Sequence, residues 1–135
     1  MPDLERVSTP ERRLEWSTGL PADPAAVALA RSGLRAVLER WDLRCLVDDA
    51  ELVTSELVTN MVRHGATPAE LVVQWEGTSV RIAVEDAHPG IPLRARAPAG
   101  AADGRGLQII DVLARDWGVD RSCGGKIVWA ELALR

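Results

Sequence analysis

Tyrosine and phenylalanine are absent from this chain, lysine occurs once, at Lys126, and cysteine and histidine occur twice each. Without Tyr or Phe, an interior must be filled by Val, Leu, Ile, Ala and the five Trp. Cys45 and Cys123 are too few for a disulfide scaffold, and with only His64 and His88 beside them no zinc-ligand spacing exists. No apolar run approaches the roughly 20 residues that cross a bilayer, so no membrane association is expected. The segment Met1-Pro2-Asp3-Leu4-Glu5-Arg6 lacks a signal-peptide core. A cytoplasmic location with reduced thiols is expected. The net charge of −4 argues against wholesale electrostatic binding to nucleic acid.

What is present suffices for one core: 135 residues, of which 47% are apolar. Residues 1–12 are polar and are expected to be a mobile N-terminal segment, with 13–135 forming a single domain. Arg13 to Thr18 alternates weakly, as an edge strand does. Asp23 and Pro24 suit the N-cap and first position of a helix running to about Arg40. A second helix is expected from about Asp42 or Arg44 to His64, with Gly65 as a left-handed C-cap and Pro68 just beyond. Glu70 to Trp75 and Ser79 to Glu85 read as two strands joined at Glu76-Gly77-Thr78. A third helix starts at Gly104 and runs to about Ala114. Strands follow near Trp117 to Asp120 and Lys126 to Leu134, with Gly124-Gly125 at the turn. The order predicts an α+β two-layer sandwich, its sheet mixed but mainly antiparallel and covered on one face by three helices.

Three motifs carry chemistry. In the second helix, at about 100° per residue, Glu56, Asn60 and Arg63 fall within roughly 60° of one another, with Asp49 on the same stripe. Leu46, Ala50, Val53, Leu57 and Met61 form the apolar stripe beside them. A carboxylate one turn before an amide can serve a metal-bound phosphate site: the carboxylate accepts a proton, and the amide oxygen ligates a hard cation such as magnesium. The same pattern also suits an ordinary surface helix. His64, in the last turn, either touches phosphate or simply favours the helix dipole.

The second motif is Asp86-Ala87-His88-Pro89-Gly90. A carboxylate where a buried strand ends can accept a hydrogen bond from the adenine amino group and oppose the carbonyl of guanine. Gly90 permits close backbone approach to a flat ligand. An ordinary turn is the alternative. The third motif is Gly104-Arg105-Gly106-Leu107, where glycines leave backbone N–H groups open at a helix start, a natural phosphate site. Arg94, Arg96 and Arg105 can add charge there. A P-loop is excluded, and the element before Gly104 is a loop, which rules out a Rossmann fingerprint. The unpatterned stretch from Ala87 to Asp103 is long for a small domain. Its segment from Ile91 to Asp103 suits a mobile lid.

In this order and spacing, the motifs resemble those of the GHKL ATPases, the superfamily of DNA gyrase, MutL, histidine kinases and ninety-kilodalton heat-shock chaperones. Glu56 to His64 resembles the N box, Asp86 to Gly90 the G1 box and Gly104 to Leu107 the G2 box. The resemblance spans roughly residues 20 to 134. It is strongest to the single-domain bacterial anti-sigma-factor serine/threonine kinases, through Ser55-Glu56-Leu57-Val58-Thr59-Asn60 and Gly125-Lys126-Ile127-Val128-Trp129-Ala130-Glu131-Leu132. It implies a Bergerat-type ATP-binding fold with ATP and Mg2+ as cofactors. Glu56 would be the catalytic base and Asn60 the metal ligand. Asn60, Arg63, His64, Asp86, Gly90, Gly104, Arg105, Gly106 and Leu107 would line the nucleotide. It implies an anti-sigma-factor antagonist protein as phosphate acceptor, a sigma factor as a second partner, and the capacity to form a homodimer. One departure stands out: His88 occupies the place of the first glycine in the usual Asp-x-Gly-x-Gly. It favours an alternative, a module that regulates by nucleotide binding or protein contact without catalysis.

Overall fold

The computed structural model describes residues 13–64, 67–86, 104–122 and 125–134. Expectations for 1–12, Gly65, His88, Gly90, the 91–103 lid and Gly124 lie outside the described residues. β1 (Leu14–Leu20) alternates half-buried and exposed positions and ends on buried Leu20. The Asp23 carboxylate accepts the Ala25 N–H at 2.7 Å and so prepares α1 (Ala25–Arg40), although regular helix begins one residue later than the sequence suggests.

Helix α1 closes on Asp42, whose φ of 64° is left-handed. The Asp42 N–H bonds the Glu39 carbonyl at 3.0 Å and the Leu43 N–H bonds the Leu38 carbonyl at 2.8 Å. That pair of bonds is the Schellman closure, here built on aspartate instead of glycine. A short 3-10 turn (Arg44–Leu46) then leads into α2 (Val47–His64). Strands β2 (Ala69–Trp75) and β3 (Ser79–Asp86) form a hairpin whose turn places Gly77 at φ 97°. Helix α3 (Gly104–Leu113) precedes the closing hairpin of β4 (Asp116–Ser122) and β5 (Gly125–Ala133).

The five strands lie in the order β1-β2-β3-β5-β4. All four pairings among the described residues are antiparallel, so the expected mixed sheet is antiparallel throughout. The reason is connectivity. β2–β3 and β4–β5 are tight hairpins, and the α1–α2 pair returns the chain beside β1 in the opposite sense. After Asp86 the chain crosses through α3 to the outer edge at β4, and β5 then fills the gap beside β3.

One face of the sheet carries Leu71, Val73, Val80, Ile82, Val84, Val128, Ala130 and Leu132, all packed into a single apolar cluster with the helices. The five residues of the expected apolar stripe, Leu46 in the 3-10 turn and Ala50, Val53, Leu57 and Met61 on α2, are all buried in that cluster. On the opposite face the Arg81 guanidinium stacks over the Trp129 ring at 5.3 Å. Among the described residues no helix is long and apolar enough to cross a membrane.

Candidate functional site

Helix α2 packs on the sheet over β3 and β5, and Asn60 from its polar stripe meets the ends of those strands. The meeting point is a small pocket lined by Leu57, Asn60 and Met61 from α2, Val84 and Asp86 from β3, and Lys126 and Val128 from β5. Helical spacing places Leu57, Asn60 and Met61 on one edge. Strand alternation places Val84 with Asp86 and Lys126 with Val128 on the helix-facing side. The result is four apolar walls and three polar side chains of different kinds. An aromatic base needs flat apolar contact and a few fixed hydrogen-bonding groups, and this set supplies both.

Asp86 is only 4% exposed at the last position of β3, as a base-reading carboxylate requires. Burial removes competing water and makes any mismatch there costly. The enclosed space is narrow, about 10 Å³, roughly one water molecule. A purine therefore enters only with movement of the surrounding groups. Residues 87–103, which continue directly from Asp86, lie outside the described residues.

The structure brings Asn60 and Asp86 into one pocket. Glu56 lies one turn earlier on α2, half-buried, and Asp49 is half-buried near the start of that helix. Arg63 is exposed toward the helix end. His64 closes α2; its side chain, like those of Arg105 and Leu107, lies outside the described residues, as does Gly90 altogether. Helix α3 starts at Gly104, as the sequence suggests, so Gly104 and Gly106 both lie in its first turn. This strengthens the phosphate reading, since the N–H groups of a first turn have no partner within the helix.

Lys126 was not singled out by sequence reasoning as a site residue. It is 5% exposed and lines the same pocket. A signal was present: Lys126 is in phase with Val128, Ala130 and Leu132 on the buried side of β5.

Among the described residues no group of three or more His, Cys, Asp or Glu could hold a metal. Magnesium does not need one, because it commonly takes one or two protein ligands and completes its shell with phosphates and water. Asn60 can supply one such oxygen. The residues present therefore fit a magnesium nucleotide: the apolar walls and Asp86 can take a base, and Asn60 can offer an oxygen to the metal.

A second hollow lies between α2 and α3, lined by Leu52, Gln108, Ile109, Val112 and Leu113. Leu52 is 49% and Val112 80% exposed. It offers almost no polar group to orient a nucleotide.

A family model for the histidine kinase-like ATPase domain matches residues 20–132. No curated protein matches the chain.

Proposed function

The chain belongs to the histidine kinase-like ATPase domain family, and on that premise we propose that it is an ATP-dependent regulatory kinase. Its acceptor would be a serine or threonine on a small antagonist of an anti-sigma factor. Sequestration of a sigma factor would be its second action. The observation that carries this reading is the convergence of Asn60 and Asp86, from separate elements, on one pocket beneath the Glu56 turn.

The roles follow from donor and acceptor chemistry. Asp86 would accept a hydrogen bond from the base amino group, and Leu57, Met61, Val84 and Val128 would cover the ring faces. Asn60 would offer its amide oxygen to magnesium. The first-turn N–H groups of Gly104 and Gly106, at the positive end of α3, would receive the phosphates. Bound magnesium ATP supplies the transferable phosphoryl group and neutralises charge around it. Glu56 accepts the proton of the attacking hydroxyl. For the acceptor protein and the sigma factor, the exposed apolar hollow at Leu52, Ile109 and Val112 offers a contact surface.

The test is incubation with labelled ATP and candidate antagonist proteins encoded nearby. Transfer of label to a serine or threonine supports the kinase. Tight ATP binding without transfer to any candidate supports the second reading, a nucleotide-binding or contact-only module. His88, standing where the related motif has glycine, is the observation that favours that second reading.

A further inference from the structure

Lys126 and Asp86 face each other across the β3–β5 ladder as direct partners. Side chains opposed in this way, on one face of an antiparallel pair, have Cβ atoms about 4.5–5.5 Å apart. Both are at least nine-tenths buried, and both line the small pocket under α2. The chain has 16 basic residues, and the only lysine among them stands here. Arg31, Arg40, Arg44, Arg63 and Arg115, by contrast, are exposed. Burying an ammonium group is costly unless something accepts its hydrogen bonds. Core packing gives no reason for the choice, since Val or Leu would continue the β5 pattern at no such cost.

We propose that Lys126 is the second reader of the base, donating to the ring nitrogen N1 of adenine while Asp86 accepts from the neighbouring amino group. The inference rests on the nucleotide reading of the pocket. Its chemistry is complementarity: a carboxylate only accepts, an ammonium only donates, and here they stand side by side. The adenine edge presents the matching pair, an amino donor beside N1, an acceptor. Guanine in the same pose presents a carbonyl to the carboxylate and an N–H to the ammonium. Both contacts are then wrong, where a lone aspartate would register only one error. Lys126 in this role sets specificity, and it does so within a water-poor pocket where unmatched groups are penalised.

The experiment is a thermodynamic cycle by calorimetry with three ligands: ATP, GTP and 1-deaza-ATP, in which N1 is replaced by C–H. Wild type is compared with Lys126→Met, which keeps the length and removes the donor. The expected result is that wild type binds 1-deaza-ATP at least about tenfold more weakly than ATP. Lys126→Met should lose a similar factor for ATP, little for 1-deaza-ATP, and part of the discrimination against GTP. Equal losses for ATP and 1-deaza-ATP would place Lys126 in a purely structural or charge-balancing role and overturn the proposal. If Lys126→Met does not fold, the wild-type comparison still decides: equal affinity for ATP and 1-deaza-ATP overturns it. Asp86→Asn separates the two levels. If Asp86→Asn lowers ATP affinity but the N1 comparison shows no difference, only the Lys126 role fails. Wild type binding no ATP overturns the nucleotide reading and the Lys126 role together.

Discussion

The indole N–H of Trp117 in β4 donates to the carboxylate of Asp111 in α3. Trp117 is 3% exposed, so its N–H has little recourse to water. The bond ties the last turns of α3 to the edge of the sheet. Gly104 and Gly106 lie in the first turn of the same helix.

Removing the acceptor takes this hydrogen bond from a buried donor, which costs about 1–3 kcal/mol. Asp111→Ala should lower stability by that amount in urea denaturation. Trp117→Phe in the Asp111→Ala background should add less than it does in wild type, because the bond is already gone. Additive losses would show that the two side chains act independently.

Asp42 offers a stabilising change. A non-glycine residue in the left-handed region costs roughly 1–2 kcal/mol, less for aspartate than for most. Asp42 holds φ 64° with both Schellman hydrogen bonds formed. Asp42→Gly should therefore raise the melting temperature, with a gain of about 0.5–1 kcal/mol after the entropy glycine loses on folding. A drop in melting temperature would show that the Asp42 side chain contributes more than its backbone strain removes.

Glu51 on α2 holds α1 through Arg35, with Nε to Oε2 at 2.8 Å and Nη2 to Oε1 at 3.1 Å. The Arg35 hydrogen bonds hold the Glu51 carboxyl below the usual carboxylate range, against the opposing effect of burial, with the charges of Arg35 and Arg31 adding to them. A carboxyl depressed on folding stabilises fully above its unfolded value, about 4.3, and loses that contribution as pH falls through its lower folded value. Wild type should melt above Glu51→Gln at pH 7. The gap should close as pH is taken below the ordinary glutamate value. A gap that persists unchanged at pH 3 would assign the effect to something other than this ion pair.

The extent to which the molecule can be read from its residues varies with the kind of information involved. Alternation, caps and turn residues together located the described strands and the three α-helices, because burial of one face imposes a period on residue order and chain reversals need particular residues; the short 3-10 turn (Arg44–Leu46) was not separable from α2. Not every cap was legible. Asp42 reads as a helix start, since aspartate favours N-caps, yet it completes the end of α1. Strand pairing was legible only in the hairpins. That β5 lies between β3 and β4 depends on a crossover that no local pattern encodes. The same crossover explains why Lys126 was overlooked: nothing near it in sequence points to Asp86, and only β3–β5 register makes them neighbours. Asn60 and Asp86 were found because each sits in a motif of its own.

Asn60 lines the pocket from the polar edge of α2, beside but outside the apolar cluster. Asn60→Ala should weaken ATP binding about tenfold in the presence of magnesium, near 1.4 kcal/mol, and much less in its absence. The check is paired titration with and without magnesium, alongside a melting curve. A loss of cooperative melting with no effect specific to magnesium would make Asn60 structural.

Glu56 lies one turn before Asn60 on the same helix, half-buried, and is not among the residues that line the base pocket. That placement separates binding from chemistry. On the proposed reading, a group lining the pocket would hold the nucleotide, whereas one beyond Asn60, the proposed magnesium ligand, can reach a nucleophile approaching the terminal phosphate. Glu56→Ala should therefore keep its ATP affinity within about twofold of wild type and lose at least about a hundredfold in phosphate transfer to a protein serine or threonine. The measurement pairs nucleotide affinity with transfer rate, using a cognate antagonist. Glu56→Gln sharpens it, since the amide preserves size and hydrogen bonding but cannot take a proton. If Glu56→Gln transfers at the wild-type rate while Glu56→Ala does not, Glu56 orients the acceptor without serving as base. If both transfer normally, the base lies elsewhere and the polar stripe of α2 serves binding alone.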